Sequence, residues 1–177
     1  MKKTMSSKLA GFLIVSMVSM TAGVIPAFAA VTSSSGPNNP GTVVSSTIGV
    51  SGDVAWSNVN NAKTSNDSHA TADLGATPSE YLKATGFGFA IPAGAVINGV
   101  QASIERKQTC FLVCPVTDNI VKLVKAGTVT GNNKANTSTA WPTTDASATY
   151  GSASDMWGTT WTVSDINNAN FGLAVSA

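Results

Sequence analysis

This chain carries little charge: Asp, Glu, Lys and Arg make up 11% of its 177 residues. The first 29 residues hold three of the ten Lys and Arg and none of the nine Asp and Glu, so the remainder is slightly acidic. Such a chain offers no basic stripe for nucleic acid and no polybasic patch for an anionic membrane surface. Histidine occurs once, as His69, in a Ser/Asn/Asp-rich loop two residues after Asp67. A hydrolase needs a nucleophile with a base, or a carboxylate pair, held in a pocket. The carboxylates Asp53, Asp67, Asp73, Glu80, Glu105, Asp118, Asp145, Asp155 and Asp165 are instead spread along the chain, and none forms an Asp-x-Asp-x-Asp-Gly calcium loop. The expectation is a protein that is not an enzyme, with no resident cofactor or metal. A loop calcium drawn from Asp67, Asp73 or Asp155 stays open, because such sites gather ligands from distant loops.

Cysteine is also scarce. Cys110 and Cys114 are the two in the chain, their spacing is not Cys-x-x-Cys, and the lone His lies far away in sequence. In an oxidising compartment two such residues pair, here as a local staple under the apolar tip Phe111-Leu112-Val113 of an expected long hairpin. Beyond Ile25 no apolar run reaches the roughly 20 residues that span a bilayer.

What is present begins with an address. Lys2, Lys3 and Lys8 form a positive region, Leu9 to Ile25 is apolar and uncharged, and Ala27-Phe28-Ala29 supplies the small residues that signal peptidase requires. Residues 1–29 therefore read as a signal peptide cleaved between Ala29 and Ala30, which places the protein outside the cell or on its surface. Residues 30–42, rich in Ser, Gly, Pro and Asn, read as a flexible leader. Residues 43–177 have the size of one domain.

Within that domain the pattern is alternation. Phe87/Phe89/Ile91 and Val100/Ala102/Ile104 predict two half-buried strands joined by a Pro-Ala-Gly-Ala turn. Further strands are expected over Val43 to Val50, Ala70 to Leu74, Tyr81 to Thr85 and Ile120 to Lys125, and again from Phe171 onward. Arg106 shares the parity of Val100, Ala102 and Ile104, so it is placed to fold over the core edge and meet a carboxylate. Glu105-Arg106-Lys107 reads as a solvated strand end rather than a binding ridge. Thr162 followed by Asp165 marks a capping box and one short helix near the C-terminus. The aromatic group Trp141, Tyr150, Trp157 and Trp161 has two readings. Exposed, it is a platform for sugar rings; buried, it is a set of core anchors, and core packing is preferred.

Three segments, IPAGAVINGVQASIER (Ile91 to Arg106), DNIVKLVKAG (Asp118 to Gly127) and WGTTWTVSDINNANFG (Trp157 to Gly172), occur in that order. Together they resemble a poorly characterised family of exported β-sandwich modules found in bacterial surface proteins and phage tail-associated proteins. The resemblance implies an all-β, antiparallel sandwich, jelly-roll-like or Ig-like, and carries no activity with it. Members continue past the NFG strand into a closing strand, which is not found before Ala177. The expected function is a secreted or cell-surface structural or adhesive module that assembles by β-strand addition, with Thr42 to Val50 as one donor segment. Its partners would be other surface or fibre subunits, self included. The alternative is a carbohydrate-binding module whose partner is a glycan.

Overall fold

Alternation becomes pairing in the computed structural model, which describes residues 3–16, 32–109 and 115–177. Over these residues the fold is all-β and sandwich-like, with two five-stranded antiparallel sheets, one short α-helix and a 3-10 turn at Val59–Lys63. Its strands are β1 (Lys3–Ser16), β2 (Thr32–Asn38), β3 (Thr42–Ser46), β4 (Ala70–Leu74), β5 (Tyr81–Thr85), β6 (Val96–Thr109), β7 (Ile120–Lys125), β8 (Thr128–Thr130), β9 (Ala146–Gly151) and β10 (Gly172–Ser176), with helix α1 (Val163–Ile166) before the last.

The second sheet runs β3-β5-β10-β7-β8. Its middle strand, β10, is buried at every position, as expected of a strand with a core on one face and neighbours on both sides. Leu173 and Val175 join the core, while Ala174 lies in register between Lys83 and Lys122. The first sheet is built around β1. One edge of β1 pairs with β6 from Thr4 to Ser16; the other pairs with β4 over Lys3–Ser7 and with β2 over Gly11–Ser16. β9 closes the far side of β6. From Val100 onward, burial along β6 follows the expected period of two, with Val100, Ala102, Ile104, Arg106 and Gln108 inward and the residues between them more open.

Lys3–Ser16, which lies within the segment that sequence reads as a removable leader, is thus the central strand of a sheet in the uncleaved chain. Thr32–Asn38, expected to be flexible, is extended for the same reason: its ladder is with β1 alone, and its side chains are mostly exposed.

Several expectations need correction. Phe87, Phe89 and Ile91 are buried, but they do not form a ladder strand. Gly86 (φ 72°) and Gly88 (φ 65°) hold conformations outside the β region, so apolar side chains reach the core from an irregular segment. Asparagine side chains take over part of the pairing there. Asn167 both accepts from the Ile91 N–H (2.9 Å) and donates to its carbonyl (2.9 Å), and Asn38 donates to the Phe87 carbonyl (2.8 Å). β6 and β7 do not form a long hairpin; they lie in different sheets. The first expected strand is confined to Thr42–Ser46, where β3 is already committed to β5, so it is not a free donor. β8 and β9 are strands at positions where no strand was expected. The capping box is as expected: the Asp165 N–H donates to Thr162 Oγ1 (3.1 Å), and the Thr162 N–H donates to the Asp165 carboxylate (2.9 Å).

Candidate functional site

The four aromatics that sequence singles out are all buried: Trp141 1%, Tyr150 6%, Trp157 0% and Trp161 5% exposed. They form no surface platform, and the physical reason is that each polar tip finds a partner inside the fold. Trp157 Nε1 donates to the Val100 carbonyl (2.8 Å) and Trp161 Nε1 to the Met156 carbonyl (3.1 Å). Trp161 also meets Phe171 edge to face, at 5.4 Å between centroids. Trp157 holds a left-handed backbone (φ 54°), fixed by its N–H on Asp155 Oδ1 and by its carbonyl accepting from Asn132 N–H.

Trp141 and Tyr150 converge on Asp118, which is 1% exposed. Asp118 Oδ1 accepts from Arg106 and from Trp141 Nε1 (2.8 Å); Oδ2 accepts from the Tyr150 hydroxyl (2.8 Å) and the Asn136 N–H (2.8 Å). The Arg106 guanidinium lies over the Trp141 and Tyr150 rings, 5.1 and 5.7 Å from their centroids. Burial, followed by the charge and hydrogen bond of Asp118, pushes the Tyr150 hydroxyl well above its ordinary pKa. The phenol therefore stays protonated at neutral pH and acts as a donor. Every oxygen of this carboxylate is engaged by the chain itself, which makes the cluster a clamp. It ties β6 and β9 to the segment entering β7 and to the loop at Asn136. The parity of Arg106 pointed to such a pairing; the identity of the carboxylate was not legible.

His69 is not solvated as its loop suggested. Its side chain is 8% exposed, with Nε2 2.8 Å from Asp145 Oδ1, while Lys107 Nζ lies 3.3 Å from Asp145 Oδ2. Burial alone would raise the Asp145 pKa, but the hydrogen bonds and charges of His69 and Lys107 hold it below the usual carboxylate range. Among the described residues, no three His, Cys, Asp or Glu side chains gather to hold a metal ion, so Asp67, Asp73 and Asp155 do not share a site. Asp155 instead pairs with Lys134 (2.7 Å). Cys110 and Cys114, with their staple, and the cleavage pair Ala29 and Ala30 lie outside the described residues.

The feature that sequence did not disclose is a slot with an open mouth. β4 and β6 are not paired to each other; they face one another across β1, which runs antiparallel to both. At the end where β1 begins, an open cleft of about 360 Å³ lies between residues 74–78 on one wall and 115–119 on the other. Thr137 and Ala177 complete its lining. Ala177 is held in place beside the cleft: the Ser79 N–H donates to the Ala177 carbonyl (2.7 Å), the Ala177 N–H donates to Ser79 Oγ (2.9 Å), and Asp118 lies in the opposite wall. Comparison with known protein families, curated proteins and solved structures gives no match for this chain.

Proposed function

We propose that this chain is an exported, non-catalytic structural or adhesive module that works at the cell surface as part of a fibre, layer or larger assembly. The observation that carries the reading is the state of its reactive side chains. The cluster at Asp118 and the pair at His69 and Asp145 are engaged internally, and the four Trp residues and Tyr150 are buried rather than displayed. The groups that would make a catalytic pocket or a sugar platform are spent on holding loops to sheets. The leader pattern of residues 1–29 supports export. The likeness to exported sandwich modules supports work alongside other subunits. Assembly by strand addition fits a fold whose first sheet depends on an N-terminal strand.

The test is to express the full coding sequence in a bacterium, fractionate the cells and measure the mass of the product. The expected result is a surface or medium fraction beginning at Ala30 and running as oligomers or polymers. A product confined to the cytoplasm, or an exported one that remains monomeric at high concentration, refutes the reading.

A further inference from the structure

Resting on that reading, we propose that the slot between β4 and β6 is an acceptor site for an extended strand supplied by a second polypeptide once the leader is gone. Three observations meet there. First, the strand in the slot, β1, falls within the residues that carry the signal-peptide pattern, so its occupant is one that export would remove. Second, the slot pairs its occupant on both sides: Ser6, for example, lies in register with Thr71 of β4 and Lys107 of β6. Third, Leu74, the register partner of Lys3 at the start of β1, also lines the open cleft.

With β1 withdrawn, β6 presents an unpaired edge beside Val100, Ala102 and Ile104, and β4 presents one beside Ala70, Ala72 and Leu74. A long unpaired edge above an apolar strip is the arrangement that takes up a strand from another chain. Register defines the chemistry of that strand. It runs antiparallel to β6 and carries apolar or small residues at the positions facing Ile104, Ala102 and Val100, where β1 has Leu9, Gly11 and Leu13. Polar residues are tolerated at the positions facing Gln108 and Arg106, because Arg106 is already neutralised by Asp118. β2 adds a reporter: its ladder is with β1, so Thr32–Asn38 loses its backbone partner when the slot empties.

The probe is a labelled peptide of sequence KTMSSKLAGFLIVS, titrated into the exported protein beginning at Ala30 and into the full-length chain recovered from the cytosol. The processed protein is expected to bind it saturably, at least about 10-fold more tightly than the full-length chain, whose slot is filled. Binding should restore slow amide exchange at Thr32–Asn38. A Ser6→Pro peptide should lose binding by about 10-fold or more, since proline cannot donate within a strand paired on both sides. A photocrosslinker at Ser7 should label β6 near Arg106 or β4 near Ala70, its register partners. No binding to the processed protein overturns the proposal. So does equal binding of the Ser6→Pro peptide, crosslinking elsewhere, or a slot already filled by the protein's own residues. Fractionation reads the surface assignment separately: an exported, assembled protein that ignores the peptide loses the slot proposal and keeps the surface role.

Discussion

Asp118→Asn is the substitution that asks most of this structure, because it changes charge while nearly conserving shape. The wild-type carboxylate accepts from four donors, on Arg106, Trp141, Tyr150 and Asn136. A carboxamide has one acceptor oxygen and one NH₂. Placed with its oxygen toward Arg106 and Trp141, it aims the NH₂ at the Tyr150 hydroxyl and the Asn136 N–H. The hydroxyl can rotate and accept. The backbone N–H cannot, and leaving a partly buried donor unpaired costs about 1–3 kcal/mol. Arg106, with 8% of its side chain exposed, also loses its counter-charge. Removing one partner of a buried pair costs about 3–5 kcal/mol in all, a figure that includes the orphaned donor. At about 2–4 °C per kcal/mol for a domain of this size, melting should fall by about 6–20 °C.

The assay is urea unfolding of wild type, Asp118→Asn, Arg106→Met and the double variant, with the slope m compared across all four. The double variant should lose less than the sum of the singles, because it no longer buries an unmatched charge. A second readout is independent of stability. Without the Asp118 charge, the Tyr150 phenol should titrate nearer its ordinary value in an ultraviolet pH titration. A loss under about 1 kcal/mol for Asp118→Asn, or strict additivity in the cycle, refutes the claim that Asp118 and Arg106 act as one unit.

Trp157→Ala removes a fully buried indole and its hydrogen bond to Val100; a loss of about 3–5 kcal/mol in urea unfolding is expected, and a change near zero would mean the indole is not an anchor. Tyr150 has a raised pKa, so its share of stability is complete below the unfolded phenol value of about 10 and is lost as pH rises through its folded value. Tyr150→Phe should be less stable at neutral pH yet show a shallower fall of Tm above pH ~10, and parallel curves would refute the assignment. Asp145, Asp155 and Asp165 go the other way. Burial alone would raise their pKa values, but hydrogen bonds and lysines outweigh it and lower them. Their stabilisation is complete above the unfolded value of about 3.9 and is lost as pH falls through the folded values, so Asp165→Asn should flatten the acid limb of a Tm-against-pH curve.

The parts of the fold that could be read from sequence were those where local pattern and tertiary environment agree. β4 and β5 alternate cleanly, and the box at Thr162 and Asp165 is a local hydrogen-bond exchange that needs nothing from the rest of the chain. Arg106 was legible by parity alone. The failures have a shared cause, since they depend on partners far away in sequence. Phe87, Phe89 and Ile91 alternate as a strand would, yet two glycines at positive φ and two asparagine side chains replace the ladder. β9 reads as a polar stretch because, Tyr150 apart, its residues are small or polar; it is a strand because β6 offers it an edge. His69 looked solvated because Asp145 is 76 residues away. The slot could not be read at all, because its two walls are separated in sequence and are joined only by the strand between them.

The two sheets differ in how they meet the problem of open edges. β3 and β8, at the edges of the second sheet, are five and three residues long, and short edges discourage pairing with other chains. That sheet also has its middle strand, β10, held by β5 and β7, both of which belong to the same continuous domain sequence. The first sheet inverts this arrangement. Its 14-residue strand β6 lies against a neighbour that comes from the N-terminal segment, and β2 and β4 depend on the same neighbour. Taking away β1 leaves the second sheet, the Asp118 clamp and the β6–β9 pair with their contacts, while a single lane opens across the first sheet. A donated strand pairs along one edge at β3, β8 or β9, but along two in that lane, over the apolar row of β6. On backbone pairing and apolar area together, strand addition to this fold belongs in the β4–β6 lane and not at its outer edges.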